Sequence, residues 1–248
     1  MARGGESVLT RAVRILAAFG SGDTSLRVSD IAARADLHPA TASRMVAELV
    51  EHGLLTRDGD RRVRIGLRLW ELASRASPAV SLREAVMPFL EDLHAVVGQH
   101  VQVGVRDGTE VLFVERLSAP GAVINYTRIA GRLPLHASSS GQVLLAHAPH
   151  EVREQVLAGP LTRYTPNTIT DPDRLRATLA AIRRQGYAYC PGHIHSDALG
   201  VAVPVSDGRQ PAVATLSAIV PNDGNGRAVI PVLLTTARGI TRALRSNH

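Results

Sequence analysis

The 248-residue chain holds one cysteine, no lysine, and aromatic side chains at only 3% of its positions. A single cysteine, Cys190, rules out an internal disulfide and supplies no zinc-finger spacing, as expected for a reducing compartment. No apolar run approaches the roughly 20 residues of a membrane span, and the first residues lack the apolar stretch of a signal peptide. The expectation is a cytoplasmic protein that does not enter a membrane. Apolar residues make up 45% and charged ones 20%, a balance that excludes wholesale disorder and provides for real cores. All 28 basic residues are arginine and face 22 acidic ones. The excess of +6 invites a polyanionic partner, but it divides evenly, with 12 arginines against 9 acids in residues 1–75 and 16 against 13 beyond. The case for nucleic acid therefore rests on arrangement.

From Val8 to Phe19, apolar residues at Val8, Ala12, Ile15, Leu16 and Phe19 recur at helical steps, and Gly20-Ser21-Gly22-Asp23 ends the run. A short helix is expected over Ser29–Ala35, with Asp30 at its favourable N-terminal end. A third opens at Pro39 behind a His38 cap. On its wheel, Ala42, Met45, Val46 and Leu49 form the inner stripe. Ala40, Thr41, Arg44 and Ala47 lie outside with Ser43 flanking. Two short extended runs, Leu54–Arg57 and Arg61–Ile65, then flank the turn Asp58-Gly59-Asp60. Helix, helix, turn, helix and a two-stranded wing make a winged helix-turn-helix. Small Ala40, Thr41 and Ser43 allow close approach to a major groove, and Arg44 has the fork for guanine or phosphate. Arg27, Arg61 and Arg62 are placed for phosphates, which supply affinity and register but little sequence information.

An apolar helix over Leu67–Ala76 carries the only tryptophan, Trp70, expected in packing or at a dimer contact. It ends before Ser77-Pro78, and a new helix is expected from a capping box at Ser81–Glu84, with Pro88 kinking it. Beyond Gly98 the pattern alternates: Val101, Val103 and Val105, a hairpin signal at Asp107-Gly108, then Val111–Val114. Helices follow over Ser139–His147, Glu151–Ala158 and Pro172–Gln185, strands over Val201–Val205 and Ala212–Val220, and a closing helix from Val229. The reading is an α+β chain. Residues 1–66 form the winged helix-turn-helix, 67–80 a connecting helix and linker, and 81–248 a second domain with a curved antiparallel sheet flanked by helices.

The segment Val28-Ser29-Asp30-Ile31-Ala32 through Leu37-His38-Pro39-Ala40-Thr41-Ala42-Ser43-Arg44, then Leu49–Leu55, resembles the DNA-binding domain of IclR-family transcription regulators. Gly131–Gln142, Ala202-Val203-Pro204-Val205, Thr165–Thr170, Arg183–Tyr187 and Ala214–Ser217 resemble that family's effector domain, in the same order. The resemblance implies a GAF-like ligand-binding domain, operator DNA as partner, a homodimer or dimer of dimers, and a small organic or aromatic acid as effector, with no cofactor. Carried over residue by residue, it puts Gly131, Leu133, Leu135, Ala137 and Ser138 on one side of a pocket. Cys190, His193, His195 and Asp197 lie opposite, with Leu216 and Ser217 from a late strand. The family often has acidic residues where this chain has Gly192-His193. Imidazole in their place favours an anionic ligand, so a small carboxylate or phenolic acid is expected. N–H groups at the helix start near Ser138–Gly141 are suited to its carboxylate.

Three rival readings stand beside this one. Cys190, His193, His195 and Asp197 have the residue types of a transition-metal site, although no distant fourth ligand is evident. A constitutive DNA-binding or oligomerising protein would need no effector at all. Catalysis by Cys190 with His193, or by Ser138–Ser140 with His136, lacks any recognised framework: there is no Gly-x-Ser-x-Gly elbow, and a serine cluster before a helix is more often a cap. No catalytic residue is assigned.

Overall fold

A computed structural model describes residues 6–20, 22–76 and 78–246. Its chain divides between Val80 and Ser81 into two compact units. Ser21 and Ser77, expected in the turn after the first helix and at the junction of two others, lie outside the described residues.

The first unit comprises α1 (Val8–Ala17), α2 (Val28–Arg34), α3 (Pro39–Glu51), β1 (Leu55–Arg57), β2 (Val63–Ile65) and α4 (Leu67–Ala76). Ser7 Oγ accepts the Thr10 N–H at the start of α1, and His38 Nδ1 accepts the Ala40 N–H at the start of α3, where Pro39 needs no acceptor. Ile15, Ile31, Met45, Val46, Leu55 and Val63 form its core. The inner stripe of α3 is buried as its spacing predicts. Val8 is not part of the α1 stripe and remains 59% exposed. β1 and β2 pair antiparallel, and Leu26 bridges to Val63 through two 2.8 Å backbone bonds, adding a third short segment to the wing. The second wing strand begins at Val63 rather than Arg61. Arg61 lies in the turn with φ +59°, a left-handed conformation that ends the extended run. The wing closes against the end of α3 at Gly66, where a Cβ would fall 2.0 Å from the Gly53 carbonyl oxygen.

The second unit is built on a six-stranded antiparallel sheet of order β5-β4-β3-β8-β7-β6. Its strands are β3 (His100–Asp107), β4 (Glu110–Leu117), β5 (Arg132–Pro134), β6 (Ala188–Pro191), β7 (Ala198–Val205) and β8 (Ala214–Pro221). The edge strands β5 and β6, of three and four residues, are too short for alternation to mark them in the sequence. Period-two placement sends Val101, Val103, Val201, Val203, Leu216 and Ala218 to one face, under α5 (Pro78–Val97) and α9 (Val229–Ser246). The opposite face carries Ala202 and Cys190 and is covered by α6 (Ser139–His147), α7 (His150–Ala158) and α8 (Pro172–Gln185). Asp171 caps α8 through the Arg174 N–H at 2.7 Å, and Gly186 ends it at φ +81°. The capping box expected at Ser81 does not form. Pro78 already opens α5, so Ser81–Glu84 lies inside a helix that runs on through Pro88. Among the described residues no helix is long and apolar enough to cross a membrane.

Candidate functional site

Each unit carries its own candidate surface. In the first, the outer face of α3 presents Ala40, Ser43, Arg44 and Ala47 to solvent, with Thr41 half-buried beside them. Short side chains leave the helix backbone accessible, and Arg44 rises above them. Arg27 at the start of α2 and Arg61 at the wing tip are also exposed. Arg62 differs. Its Nε donates to Ser25 Oγ at 2.7 Å and its Nη2 to the Ser25 carbonyl at 2.9 Å, so this guanidinium fastens the wing to the strand-like segment before α2. Arg64 is paired with Asp58 at 3.2 Å. Arg62, expected from the sequence to face phosphates, is therefore engaged inside the first unit, as is Arg64.

In the second unit a cleft of about 450 Å3, part of it open to solvent, lies between the sheet, the start of α6 and two loops. Its floor is Gln102 from β3, Ile219 from β8, Ala198 and Gly200 from β7, and Cys190 from β6. Ser138 and Ser139 form one wall, Leu133 another, residues 193–195 a third, and residues 124–127 a flap. Tyr126 and His195 meet at the mouth, ring centroids 5.7 Å apart. A wider vestibule outside them reaches Tyr164, Thr165 and Pro166.

α6 sits close to the sheet because its facing residues are small. A Cβ on Gly200 would fall 2.7 Å from Ser139 Oγ, and one on Gly141 would fall 2.5 Å from the Leu135 carbonyl oxygen. Ser138 is the helix cap, its Oγ accepting the Gly141 N–H at 3.0 Å and its carbonyl the Gln142 N–H at 2.8 Å. The N–H groups of Ser139 and Ser140 have no acceptor within the helix, and they carry the positive end of its dipole. No Asp, Glu or Arg lines the cleft, and the helix end gives this surface a preference for negative charge.

Behind the cleft, Gln142 organises a buried cluster. Its Nε2 donates to the His136 carbonyl at 2.9 Å and to His193 Nδ1 at 3.3 Å, and its Oε1 accepts from Cys190 Sγ at 3.3 Å. Burial lowers the His193 pKa to about 4, helped by the positive charge of Arg174 and opposed by the Ala137 backbone. The ring is therefore neutral near pH 7. Burial raises the Cys190 thiol pKa and keeps it protonated. Thr168 Oγ1 donates to the His193 carbonyl at 2.6 Å, and Thr165 Oγ1 to the Gly192 carbonyl at 2.5 Å, which fixes this loop. On the other side of the cleft His100 holds the flap, its Nδ1 against Ser118 Oγ at 2.9 Å and its Nε2 donating to the Val123 carbonyl at 2.5 Å.

Of the sequence-derived pocket residues, Leu133, Ser138, Cys190, His193 and His195 come together around the cleft. Leu135 and Ala137 are buried beside it rather than in it, and Gly131 packs against Arg128. Ser217 lies under α6, where its Oγ accepts from Ser140 Oγ at 2.9 Å. Leu216 points to the other face of the sheet, since neighbouring strand residues alternate. Asp197 is exposed, with Ser196 Oγ donating to it at 3.0 Å. Cys190, His193, His195 and Asp197 do not converge: among the described residues no three His, Cys, Asp or Glu side chains are grouped to hold a metal ion. Sequence reasoning missed Gln102, the flap and Ile219. A glutamine between two core valines was the available signal for the first, and the two-residue period for the last.

The sequence matches the IclR helix-turn-helix domain family over residues 8–59 and the family of bacterial transcriptional regulator IclR C-terminal domains over residues 75–242. It is similar to the regulator XynR of Escherichia coli K12, with 31% identity over 84% of this chain and 83% of that protein. It is also similar to an IclR homologue from Microbacterium hydrocarbonoxydans, crystallised with 4-hydroxybenzoate. That match has 47% identity and a TM-score of 0.92, and covers 97% of this chain and all of the other. A homologue from Microbacterium sp. strain HM58-2 is 45% identical with a TM-score of 0.64, over 97% and 98% of the two chains. These matches span both units, and the chain belongs to the IclR family of transcriptional regulators rather than to an enzyme family.

Proposed function

We propose that this regulator binds operator DNA through its first unit and that a small aromatic acid of the hydroxybenzoate class, held in the cleft of the second, modulates that binding. The observation that carries the reading is a largely apolar cleft with no Asp, Glu or Arg in its lining and with the first turn of α6 at its wall. A carboxylate there meets the free N–H groups of Ser139 and Ser140 and the positive end of the helix, while Leu133, Ile194 and Ile219 accept a ring. The relative crystallised with 4-hydroxybenzoate supports the same class. Residues 1–66 serve in this reading as the DNA-binding domain, 67–80 as the connector and 81–248 as the effector domain.

Ala40, Thr41, Ser43 and Arg44 are assigned to the major groove, and Arg27 and Arg61 to phosphates. Exposed Val8, Leu9 and Val13 on α1, and Leu67, Trp70 (67% exposed) and Leu72 on α4, support a homodimer or dimer of dimers. The test is a thermal-shift series with benzoate and its hydroxylated derivatives, followed by DNA-binding titrations of any stabilising acid on the region upstream of the protein's own gene. An acid that binds the native state raises the melting temperature, by the equivalent of about 2.7 kcal/mol at a hundredfold excess over Kd. Stabilisation together with a changed DNA affinity is expected. Intact DNA binding with no response to any acid overturns the effector assignment and leaves a constitutive regulator.

A further inference from the structure

Gln102 is a buried polar side chain, 1% exposed, on the cleft face of β3, with His100 two residues before it and Arg116 opposite it on β4. Its Oε1 is doubly occupied, accepting from Thr127 Oγ1 at 2.5 Å and from Asn125 Nδ2 at 3.3 Å, both from the flap. These bonds fix the amide orientation and leave Nε2 as a donor without a protein acceptor. Among the described residues the only fully enclosed side-chain polar atom lacking a partner is His94 Nε2, so the Gln102 N–H keeps its accessible surface in the cleft that Gln102 lines. A buried donor facing a cavity calls for an acceptor in whatever fills it. The position matters as well. Gln102 is on β3, and Ser139, at the α6 end, packs over Gly200 on β7. Only β8 lies between these strands, which are thus about 10 Å apart. That separation suits a para-substituted benzene ring with a hydrogen bond at each end.

We propose that Gln102 is the specificity-determining residue for the effector, reading the ring substituent opposite the carboxylate and requiring a hydrogen-bond acceptor there. This rests on the aromatic-acid reading of the cleft. A phenolic oxygen satisfies the amide. A methyl group of similar size leaves it buried and unpaired, and an aromatic amino group, whose lone pair is delocalised into the ring, is a donor facing a donor.

The experiment is calorimetric titration of the full chain with 4-hydroxybenzoate, 4-methylbenzoate and 4-aminobenzoate, in the wild type and in Gln102→Met, which keeps the side-chain length but has no N–H. The wild type is expected to bind the hydroxy acid about 10-fold or more tightly than either analogue. In Gln102→Met the hydroxy-to-methyl ratio is expected to fall to near one. Loosening of the flap would lower all affinities together and would not move that ratio. Equal wild-type binding of the three acids overturns the inference and leaves the aromatic-acid reading intact, as does a preference that survives in Gln102→Met. If that variant does not fold, the wild-type comparison still decides, because equal affinity for the hydroxy and amino acids refutes an acceptor-seeking amide. Absence of binding by all three acids overturns the aromatic-acid reading and this inference with it.

Discussion

His193 makes the second unit acid-sensitive in a calculable way. Its side chain is neutral in the folded protein down to about pH 4 because burial, reinforced by Arg174, disfavours the imidazolium, whereas an unfolded histidine takes up its proton near 6.5. Above pH 6.5 the ring is neutral in both states and contributes no pH dependence. Between 6.5 and 4 the unfolded chain binds more protons than the native one, so stability falls as the pH falls, by up to about 1.4 kcal/mol per pH unit from this residue. Over the whole window the loss approaches about 3 kcal/mol, a large part of the stability of an ordinary domain. His100 and His136 are shifted down by burial too and act in the same direction.

The assay is urea denaturation of the wild type and His193→Gln at half-unit steps from pH 8 to 4.5. The variant loses the bond from Gln142 and is expected to be weaker at pH 8. Its stability should then decline less steeply below pH 6.5, the two curves converging as the pH drops. Parallel curves across the window would refute the assignment of a neutral, desolvated ring to His193.

Other consequences are read directly from side-chain partners. Arg44→Ala is expected to weaken operator binding and relax base preference, while Arg61→Ala weakens operator and random DNA alike and lowers the salt slope by about 1; competition titrations at several salt concentrations separate the two. Arg62→Ala should act on the wing itself, since Ser25 loses two bonds, lowering the first unit's stability by about 1–3 kcal/mol, measurable by thermal unfolding. Cys190, buried with its thiol pKa raised, is expected to resist aromatic disulfide reagents in the native protein and to react fully in denaturant. Rapid native labelling would show that the cluster around Gln142 opens readily.

The first unit was legible because each of its signals is local. Pro39 behind His38, the inward stripe from Ala42 to Leu49 and Gly53 at φ +71° are properties of one helix, and the structure places each as the pattern requires. Arg62 was misread for the complementary reason. Its partner Ser25 is 37 residues away, and no periodicity relates a wing arginine to a loop serine. The cleft shows the same division. The cap at Ser138 follows from three serines before an apolar run, but Gln102, the flap and α6 converge only through the strand order β3-β8-β7, which contacts between distant segments establish. Leu216 was misplaced by one residue of register on a strand where Ile219 faces the cleft, an error that a two-residue period converts into the wrong face.

That convergence explains why the cleft stays open. Gly141 and Gly200 let α6 sink onto the sheet, and Val143, Leu144 and Leu145 fill the space behind its first turn. Ahead of that turn Gly200 and Gln102 border the cleft, and the flap closes over the gap on bonds to His100 and Gln102. The cleft is thus a gap bounded by two separately anchored elements, with unpaired donors at the first turn of α6 and at Gln102 on β3, which holds the flap. A ligand that accepts hydrogen bonds at either end couples α6 to the flap and stabilises the conformers in which both are seated. It can alter operator occupancy only by the ratio of its affinities for the DNA-binding and non-binding conformers. The same ratio, by linkage, is the factor by which operator DNA changes affinity for the acid.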